Sequence, residues 1–420
     1  MKDVNVHLEN KRESRFFFVF LLIMYAVVYM TKNCFSGALA AIVAEGSLTL
    51  TQTSLISASF YVAYTPLQIL GGAFADKYSP ERLITIGLVG SALSNIVIFF
   101  NQNYYVMLAS WVFSAIIQFA LWPALFKIIS SQLVRSDRPK MAFFISFGGS
   151  IGLIMSYVVS AFIPNWRYNF AISAVSLLLA ALLLELYCRH LDPILKKDYE
   201  PEVVEDRSYE GVTERKYSTF KLFWISGFMM LLPAVLIRTM LENGSKTLSP
   251  TMLMQSYENI SPTVGNLLNI FIIISGILGM ILVKFVLYPK LIKNEITGYM
   301  IMLIAAVPFT VILRFVGVAP VWLIVLSLCM ISMLLTSTHL FTQFFNLNFI
   351  KFGKNGLAAG VLNAAASFGL VLQYCVFGSV ADHFGWNVVT ALWVIMIFVA
   401  IICNAFAVGP AKKFKESVSK

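Results

Sequence analysis

Apolar residues fall into twelve long blocks along the chain, separated by short polar segments. Each block holds roughly 18 residues or more, which is enough for a helix to cross a bilayer. The apolar positions are continuous and do not alternate, so the pattern does not indicate a β-barrel. It predicts an all-α polytopic membrane protein with twelve transmembrane helices. The predicted spans are 16–43, 50–75, 83–101, 104–134, 141–164, 167–189, 220–244, 262–289, 296–314, 319–349, 356–381 and 386–409.

One long polar stretch, 190–219, interrupts this pattern between the sixth and seventh spans. Its composition is typical of a flexible surface linker. We therefore predict a six-helix bundle over 1–189, a cytoplasmic linker over 190–219, and a second bundle with a cytoplasmic tail over 220–420. The segment "SIGLIMSYVV" at 150–159 also aligns with "SFGLVLQYCV" at 367–376, with five of ten residues identical. This repeat favours two parallel six-helix halves, an architecture common among secondary transporters.

The composition agrees with a membrane protein, since 59% of residues are hydrophobic and 12% are charged. With a cytoplasmic N-terminus, 24 of the 31 Lys and Arg fall in the tails, the linker and the even-numbered loops. This bias predicts a multi-pass protein of the cell membrane with both termini in the cytoplasm. The net charge of +10 follows from the topology and implies no nucleic-acid partner. The five cysteines lack the spacing of a metal or disulfide framework.

The loop after the second span reads "GGAFADKYSPERLITIG", 71–87. It resembles the signature of the major facilitator superfamily, in which a glycine, an aspartate and two basic residues surround a tight turn. The corresponding residues here are Gly72, Asp76, Lys77 and Arg82, and the resemblance implies a gating role for them. A glycine in this position is expected to permit close helix packing.

Three segments resemble the organophosphate:phosphate antiporter branch of that superfamily, which includes glycerol-phosphate and hexose-phosphate transporters. They are Ser79-Pro80 in the loop, "YMTKNCF" in the first span and "VADHFGW" at the end of the eleventh. The resemblance implies two pseudo-symmetric bundles that work by alternating access around a central cavity. It also implies a small anionic substrate, such as a phosphate ester exchanged for phosphate.

Two basic residues lie deep within predicted spans. Lys32 follows Arg15 by 17 residues in the first span, and Arg238 follows Lys221 by the same number in the seventh. A cation near the bilayer centre costs at least ~2.5–3.5 kcal/mol on insertion scales. We predict that the two occupy equivalent depths, face a shared aqueous cavity and are bridged by an anion.

The resemblance to the organophosphate:phosphate antiporter branch implies that one basic residue from each of these spans binds the phosphate. Arg238 matches the seventh-span arginine of that branch. The first-span match is imperfect, because Thr31 stands where the branch has arginine and Lys32 must replace it. Span two has Gln68 where relatives can carry a further lysine. Anion binding is therefore expected, whereas phosphate as the bound group is less clearly indicated.

An alternative interpretation pairs Arg238 with Glu242, four residues later on the same helix. This order of charges is the weaker one, and Asn243-Gly244 is a possible helix break. In a mixed case, Glu242 holds the arginine until substrate arrives, or carries a coupling proton. His339 in the tenth span is a second candidate for a proton, although a packed histidine is the simpler interpretation.

Aromatic and amide side chains accompany the basic residues on single helix faces. Tyr25, Tyr29 and Lys32 share one face of the first span, and Tyr61, Tyr64 and Gln68 share one face of the second. Polar side chains within spans usually face protein or water. The predicted substrate contacts are Arg238, Lys32, Asn33, Tyr29, Tyr61, Tyr64, Gln68 and Trp122.

These features favour a secondary active transporter of a small organic anion, acting as a monomer. A proton-coupled permease or exporter of another metabolite or drug is the second hypothesis. A membrane sensor that binds a ligand without moving it is the third. Enzyme activity is not predicted, because no Walker loop, zinc motif or activated nucleophile is present, and no cofactor is implied.

Overall fold

The computed structural model describes residues 5–134, 136–145, 147–163, 165–191, 193–198, 218–288 and 290–419, and it is almost entirely helical. The helices are α1 (Lys11–Lys32), α2 (Cys34–Glu45), α3 (Leu50–Lys77), α4 (Pro80–Phe100), α5 (Tyr104–Ile117), α6 (Leu121–Ser131), α7 (Arg138–Phe144), α8 (Phe147–Phe162), α9 (Arg167–Leu191), α10 (Thr219–Ile225), α11 (Phe228–Thr247), α12 (Ser249–Ser256), α13 (Pro262–Leu282), α14 (Glu295–Ile312), α15 (Val321–Asn346), α16 (Asn355–Phe384) and α17 (Trp386–Ser419).

Each predicted span corresponds to a helix or a broken helix pair. Within the described ranges, nine helical segments are long and apolar enough to cross a membrane, or ten if α10 and α11 form one bent span. The two other predicted spans correspond to α3, of 28 residues, and α8, of 16 residues. The protein is therefore an all-α polytopic membrane protein.

Several spans are interrupted, and the interruptions have local causes. The first span is interrupted at Asn33, between α1 and α2, where the backbone leaves the helical region. The seventh span bends by 73° between α10 and α11. Gly227 between them has φ +75°, a left-handed conformation in which a side chain would be strained.

The seventh span does not break at Asn243-Gly244, contrary to one sequence interpretation. Helix α11 continues to Thr247, so it carries Glu242 and the residues beyond it on regular helical turns. A Cβ at Gly244 would lie 3.1–3.2 Å from the rings of Phe377 and Trp393. The glycine thus serves helix packing within an unbroken helix.

Part of the predicted linker is ordered. Residues Lys196–Asp198 form strand β2, which pairs antiparallel with strand β1, Asn5–His7. The backbone N–H of Leu8 donates to the carbonyl of Gln132 at 2.8 Å, and Leu8 itself is buried. Residues 192 and 199–217 of the linker lie outside the described part of the chain.

The chain divides into two compact units. Unit 1 comprises Met1–Leu48 and Leu55–Ser208, and unit 2 comprises Thr49–Ser54 and Tyr209–Lys420. In unit 1, α1 packs on α8 and α4 packs on α9. In unit 2, α11 packs on α16 and α17, while α13 and α14 pack on α15. Each unit therefore has its own helical core.

The internal repeat occupies the same structural position in both units. A Cβ added to Gly152 of α8 would lie 2.3 Å from the carbonyl oxygen of Ala26 on α1. A Cβ added to Gly369 of α16 would lie 2.6 Å from the carbonyl oxygen of Leu236 on α11. Each repeat glycine thus permits the repeat helix to approach the first long helix of its own unit.

Candidate functional site

The signature loop between α3 and α4 begins a helix with a regular cap. Ser79 is the N-cap of α4, and its hydroxyl accepts a hydrogen bond from the Arg82 N–H at 3.5 Å. Pro80 occupies the first helical turn, where its missing N–H has no cost. Lys77 is exposed at the end of α3. Asp76 lies in the last turn of α3, and its side chain is outside the described part of the chain.

The predicted packing role of Gly72 is wrong. A Cβ at Gly72 would meet no atom within 4 Å among the described residues. Its neighbour Gly71 has that role, because a Cβ there would lie 2.6 Å from the carbonyl oxygen of Phe119. The two glycines point to different sides of α3, so only one faces the adjacent helix.

Lys32 lies within unit 1 in a cage of aromatic rings. Its Nζ lies 4.2 Å from the ring centre of Tyr64, 4.9 Å from Phe60, 5.2 Å from Tyr61 and 5.4 Å from Tyr29. Such distances allow cation–π attraction to each ring. Among the described residues, the ammonium has neither a carboxylate nor a hydrogen-bond acceptor as partner. We name Lys32 and these four rings the lysine cage.

The lysine cage continues into a wider aromatic wall. The rings of Tyr25 and Tyr29 lie 4.9 Å apart, and Tyr25 lies 5.0 Å from Trp122. Trp122 is therefore linked to the lysine cage through Tyr25. Gln68 is half-buried on α3 and forms no hydrogen bond within the described ranges.

Asn33 is held inside the bundle. Its side-chain amide donates to the carbonyl of Tyr29 at 2.7 Å, and its backbone carbonyl accepts from the Ser156 hydroxyl at 2.8 Å. These side-chain bonds add to the backbone bonds that cross the junction between α1 and α2, from the Asn33 N–H to the Tyr29 carbonyl and from the Gly37 N–H to the Asn33 carbonyl. They occupy the side-chain amide that the sequence assigned to substrate.

Arg238 lies in unit 2 and is only 1% exposed. Its guanidinium is ion-paired with Glu242, and its Nη1 lies 2.7 Å from His339 Nε2. His339 Nε2 is also 3.3 Å from the Glu242 carboxylate. The His339 side chain is 40% exposed and is the accessible member of the group. The alternative sequence interpretation, an intrahelical Arg238–Glu242 pair, therefore describes this structure.

Glu242 has a second cationic partner that the sequence did not predict. The Lys246 ammonium donates to Glu242 Oε1 at 2.7 Å and to Thr336 Oγ1 at 2.7 Å. The predicted seventh span ends at 244, which places Lys246 outside it. In the structure it is buried one turn beyond Glu242 on α11. Arg238, Glu242, Lys246, Thr336 and His339 together form what we call the glutamate cluster.

The contacts of the repeat also show which residues of α1 and α11 correspond. Ser156 and Gln373 hold the same position in the repeat. Ser156 donates to the Asn33 carbonyl, and Gln373 accepts from the Asn243 side chain at 2.7 Å. This pairing gives an offset of 210 residues, the same offset that separates Ala26 from Leu236 at the repeat glycines.

At this offset the counterpart of Lys32 is Glu242, and the counterpart of Arg238 is Val28. The prediction that Lys32 and Arg238 occupy equivalent positions is therefore wrong. Counting from the last charged residue before each span gave a false register, because α11 is preceded by the bent helix α10. The equivalent position carries a cation in unit 1 and an anion in unit 2.

The sequence of this chain matches that of a known protein family. A model of the Major Facilitator Superfamily matches residues 21–349, which is most of the chain. The protein belongs to the Major Facilitator Superfamily, as the loop at 71–87 predicted. A bacterial homologue of the human lysosomal transporter Spinster, solved inward-facing and unoccupied, has the same fold. The TM-score is 0.69, with 13% identity over 98% of both chains.

Two curated relatives agree with the predicted branch. The membrane sensor protein UhpC of Escherichia coli (strain K12) is 25% identical over 114 residues, 27% of this chain and 26% of the sensor. A probable hexose phosphate transport protein of Chlamydia pneumoniae is 24% identical over 155 residues, 36% of this chain and 34% of that protein. The chain thus matches about a third or less of either relative's length. These relatives are a sensor and a transporter, and neither is an enzyme.

Proposed function

We propose that the protein is a secondary active transporter of the cell membrane that moves a small organic anion by alternating access. A phosphate ester exchanged for phosphate is the first substrate pair to test. The main support is the lysine cage, where an ammonium within a membrane-spanning helix lacks a carboxylate partner among the described residues. A substrate anion would supply the missing counter-charge.

In this proposal Lys32 is the substrate anchor of unit 1. The four aromatic faces stabilise the cation without neutralising it, so it can still attract an anion. The rings also offer flat surfaces against which the carbon skeleton of a substrate can pack. The i and i+3 spacing of Tyr61 and Tyr64 on α3 directs both rings toward Lys32.

Arg238 has a different part in the proposal. Its guanidinium already has a carboxylate partner and is almost fully buried, so a substrate would have to displace Glu242 to bind it. The accessible group of the glutamate cluster is His339, which lies against Arg238 and Glu242. We assign this cluster to the coupling of binding to conformational change, through exchange of ion-pair partners.

Transport by reconstituted protein tests the proposal. Liposomes preloaded with phosphate are expected to take up labelled sugar phosphates or another small organic anion, and Lys32→Ala is expected to abolish this uptake. Lys284→Ala is the matched control, because Lys284 is also a membrane lysine but lies at the end of its span, beside Phe285. Equal uptake by the Lys32→Ala and Lys284→Ala variants would contradict the assignment of Lys32. Uptake of a neutral solute driven by acidification would instead favour a proton-coupled permease.

A membrane sensor is the second candidate function, because UhpC is named as one. A sensor would bind the anion at Lys32 with the same charge requirement but would not move it. Saturable binding of a labelled anion to detergent-solubilised protein, without uptake into liposomes, is the result that favours the sensor.

A further inference from the structure

The glutamate cluster contains a compact arrangement of oxygen atoms around the Lys246 ammonium. Nζ lies 2.7 Å from Glu242 Oε1 and 2.7 Å from Thr336 Oγ1, and these two oxygens are 3.0 Å apart. The three atoms therefore form a closed triangle that joins α11 to α15. All three side chains are buried.

A third oxygen lies beside this triangle. A Cβ added to Gly276 on α13 would lie 2.8 Å from Thr336 Oγ1, 2.9 Å from Ser332 Oγ and 3.4 Å from Lys246 Nζ. These three polar atoms therefore surround one point, which the absent side chain of Gly276 leaves open. Ser332 Oγ is fully buried and has no hydrogen-bond partner within the described part of the chain. A buried hydroxyl in that state has lone pairs available for a cation.

The backbone at this position is fixed independently of the ammonium. The Lys246 carbonyl accepts a hydrogen bond from the Asn269 side-chain amide at 2.6 Å, and Asn269 Oδ1 accepts from the Ser249 hydroxyl at 2.8 Å. Removal of the Lys246 side chain would leave these bonds in place. The oxygen atoms of Glu242 and Thr336 would then face a preformed cavity in place of the ammonium.

The ammonium contacts one carboxylate oxygen and one hydroxyl oxygen, with the unpartnered Ser332 hydroxyl beside Thr336, and oxygen atoms are the ligands that hard cations prefer. Glu242 also pairs with Arg238, which offsets part of its negative charge. The site therefore suits a monovalent cation and not a divalent one. A lysine ammonium is a compact point charge, and here it donates to the Glu242 carboxylate and the Thr336 hydroxyl. We propose that this is a monovalent-cation site, which the protein fills with its own Lys246 ammonium. The protein thereby supplies a tethered cation where a free sodium or lithium ion would otherwise bind, independently of the proposed substrate.

Cation-dependent stability of Lys246→Ala tests the proposal. The full chain is unfolded by heat in detergent, in chloride salts of sodium, lithium, methylammonium and N-methyl-D-glucamine at one ionic strength, which holds screening of surface charges constant. The wild type is expected to unfold at one temperature in all four salts. The variant is expected to unfold at a lower temperature in N-methyl-D-glucamine, with saturable recovery in sodium, lithium or methylammonium.

Two further variants distinguish an ion site from a general salt effect. Lys246→Ala combined with Thr336→Val removes one oxygen ligand and is expected to lose the recovery. Lys246→Gln fills the cavity with a neutral amide and is expected to show no preference among cations. If Lys246→Ala is too unstable to purify in N-methyl-D-glucamine, the yield of monodisperse protein extracted in each salt reports the same preference.

The proposal is overturned if the stability or yield of Lys246→Ala is the same in all four salts. It is equally overturned if the recovery persists after Thr336→Val. A Lys246→Ala variant as stable as the wild type in N-methyl-D-glucamine would also overturn it, because the ammonium would then occupy no required site.

Discussion

Lys32 and Glu242 occupy equivalent positions in the two halves of the chain, yet their surroundings differ in kind. Four aromatic rings surround Lys32, and no carboxylate in the described ranges pairs with it. Glu242 is held between two cations, Arg238 and Lys246. The repeat therefore preserves helix packing at Gly152 and Gly369 while reversing the charge at the site. Unit 2 pairs the Glu242 carboxylate with its own cations, whereas the Lys32 charge of unit 1 is the one that we propose binds a substrate anion.

The largest loss of stability is expected from removal of the Glu242 carboxylate in unit 2. Glu242→Ala leaves Arg238 and Lys246 buried without a counter-charge, which typically costs ~3–5 kcal/mol. Thermal unfolding in detergent and the yield of monodisperse protein measure the loss. Lys32→Ala removes a charge that has no carboxylate partner, so it is expected to lower the unfolding temperature far less. Equal losses in the two variants would contradict the comparison.

Anion binding, unlike stability, is expected to depend more on Lys32 than on the glutamate cluster. Lys32→Met removes the proposed anchor and should weaken anion binding by about ten- to a hundred-fold, the range for a hydrogen bond to a charged group of ~1.5–3 kcal/mol. Equilibrium binding of a labelled sugar phosphate, or of the anion found by a thermal-shift screen, measures it. Arg238→Met, which leaves Glu242 paired with Lys246, should retain part of the affinity. Full binding by Lys32→Met would exclude unit 1 as the anchor.

The helix packing at the two repeat glycines can be tested without changing any charged residue. Gly152→Ala places a Cβ 2.3 Å from the Ala26 carbonyl oxygen, and Gly369→Ala places one 2.6 Å from that of Leu236. Both should destabilise their helix pairs by about 1–3 kcal/mol, as overpacking does. Gly360→Ala on α16 is the control, because a Cβ there meets nothing within 4 Å among the described residues. Thermal unfolding of the three variants compares them, and a similar result for all three would refute the packing role.

The smallest effect, a modest loss of anion binding, is expected from substitution of Tyr64 in the lysine cage. Tyr64→Leu removes the ring whose centre lies 4.2 Å from Lys32 Nζ and should weaken anion binding by about two- to five-fold, as expected for a cation–π contact of ~0.5–1 kcal/mol. Tyr64→Phe keeps the ring and should bind like the wild type. The same binding assay measures both. A greater loss in Tyr64→Phe would indicate that the hydroxyl group contacts the substrate.

The tyrosines of the cage could be predicted because helical spacing alone places them on one face. Tyr29 lies three residues before Lys32 on α1, and Tyr61 and Tyr64 are three residues apart on α3. Phe60 could not be separated from ordinary apolar residues of α3, although its ring lies 4.9 Å from the Lys32 ammonium. Whether an apolar ring covers a cation depends on how two helices pack, which one sequence does not specify.

Lys246 was not predicted as a partner of Glu242 for a related reason. Asn243-Gly244 has the composition of a helix end, which predicts a span that stops at 244, before Lys246. In the folded chain, Gly244 packs against Phe377 and Trp393, and the helix continues. Tertiary packing thus overrides a local signal that would end an isolated helix.

The sequence by itself determined the membrane-spanning helices and the superfamily, because long apolar runs and a short charged turn are local features of the chain. It also contained the two candidate basic residues and the acidic residue that pairs with one of them. Only the tertiary structure decided which positions of the two halves correspond and which cation has a carboxylate partner. Those relations depend on contacts between helices far apart in sequence, such as α8 with α1 and α15 with α11.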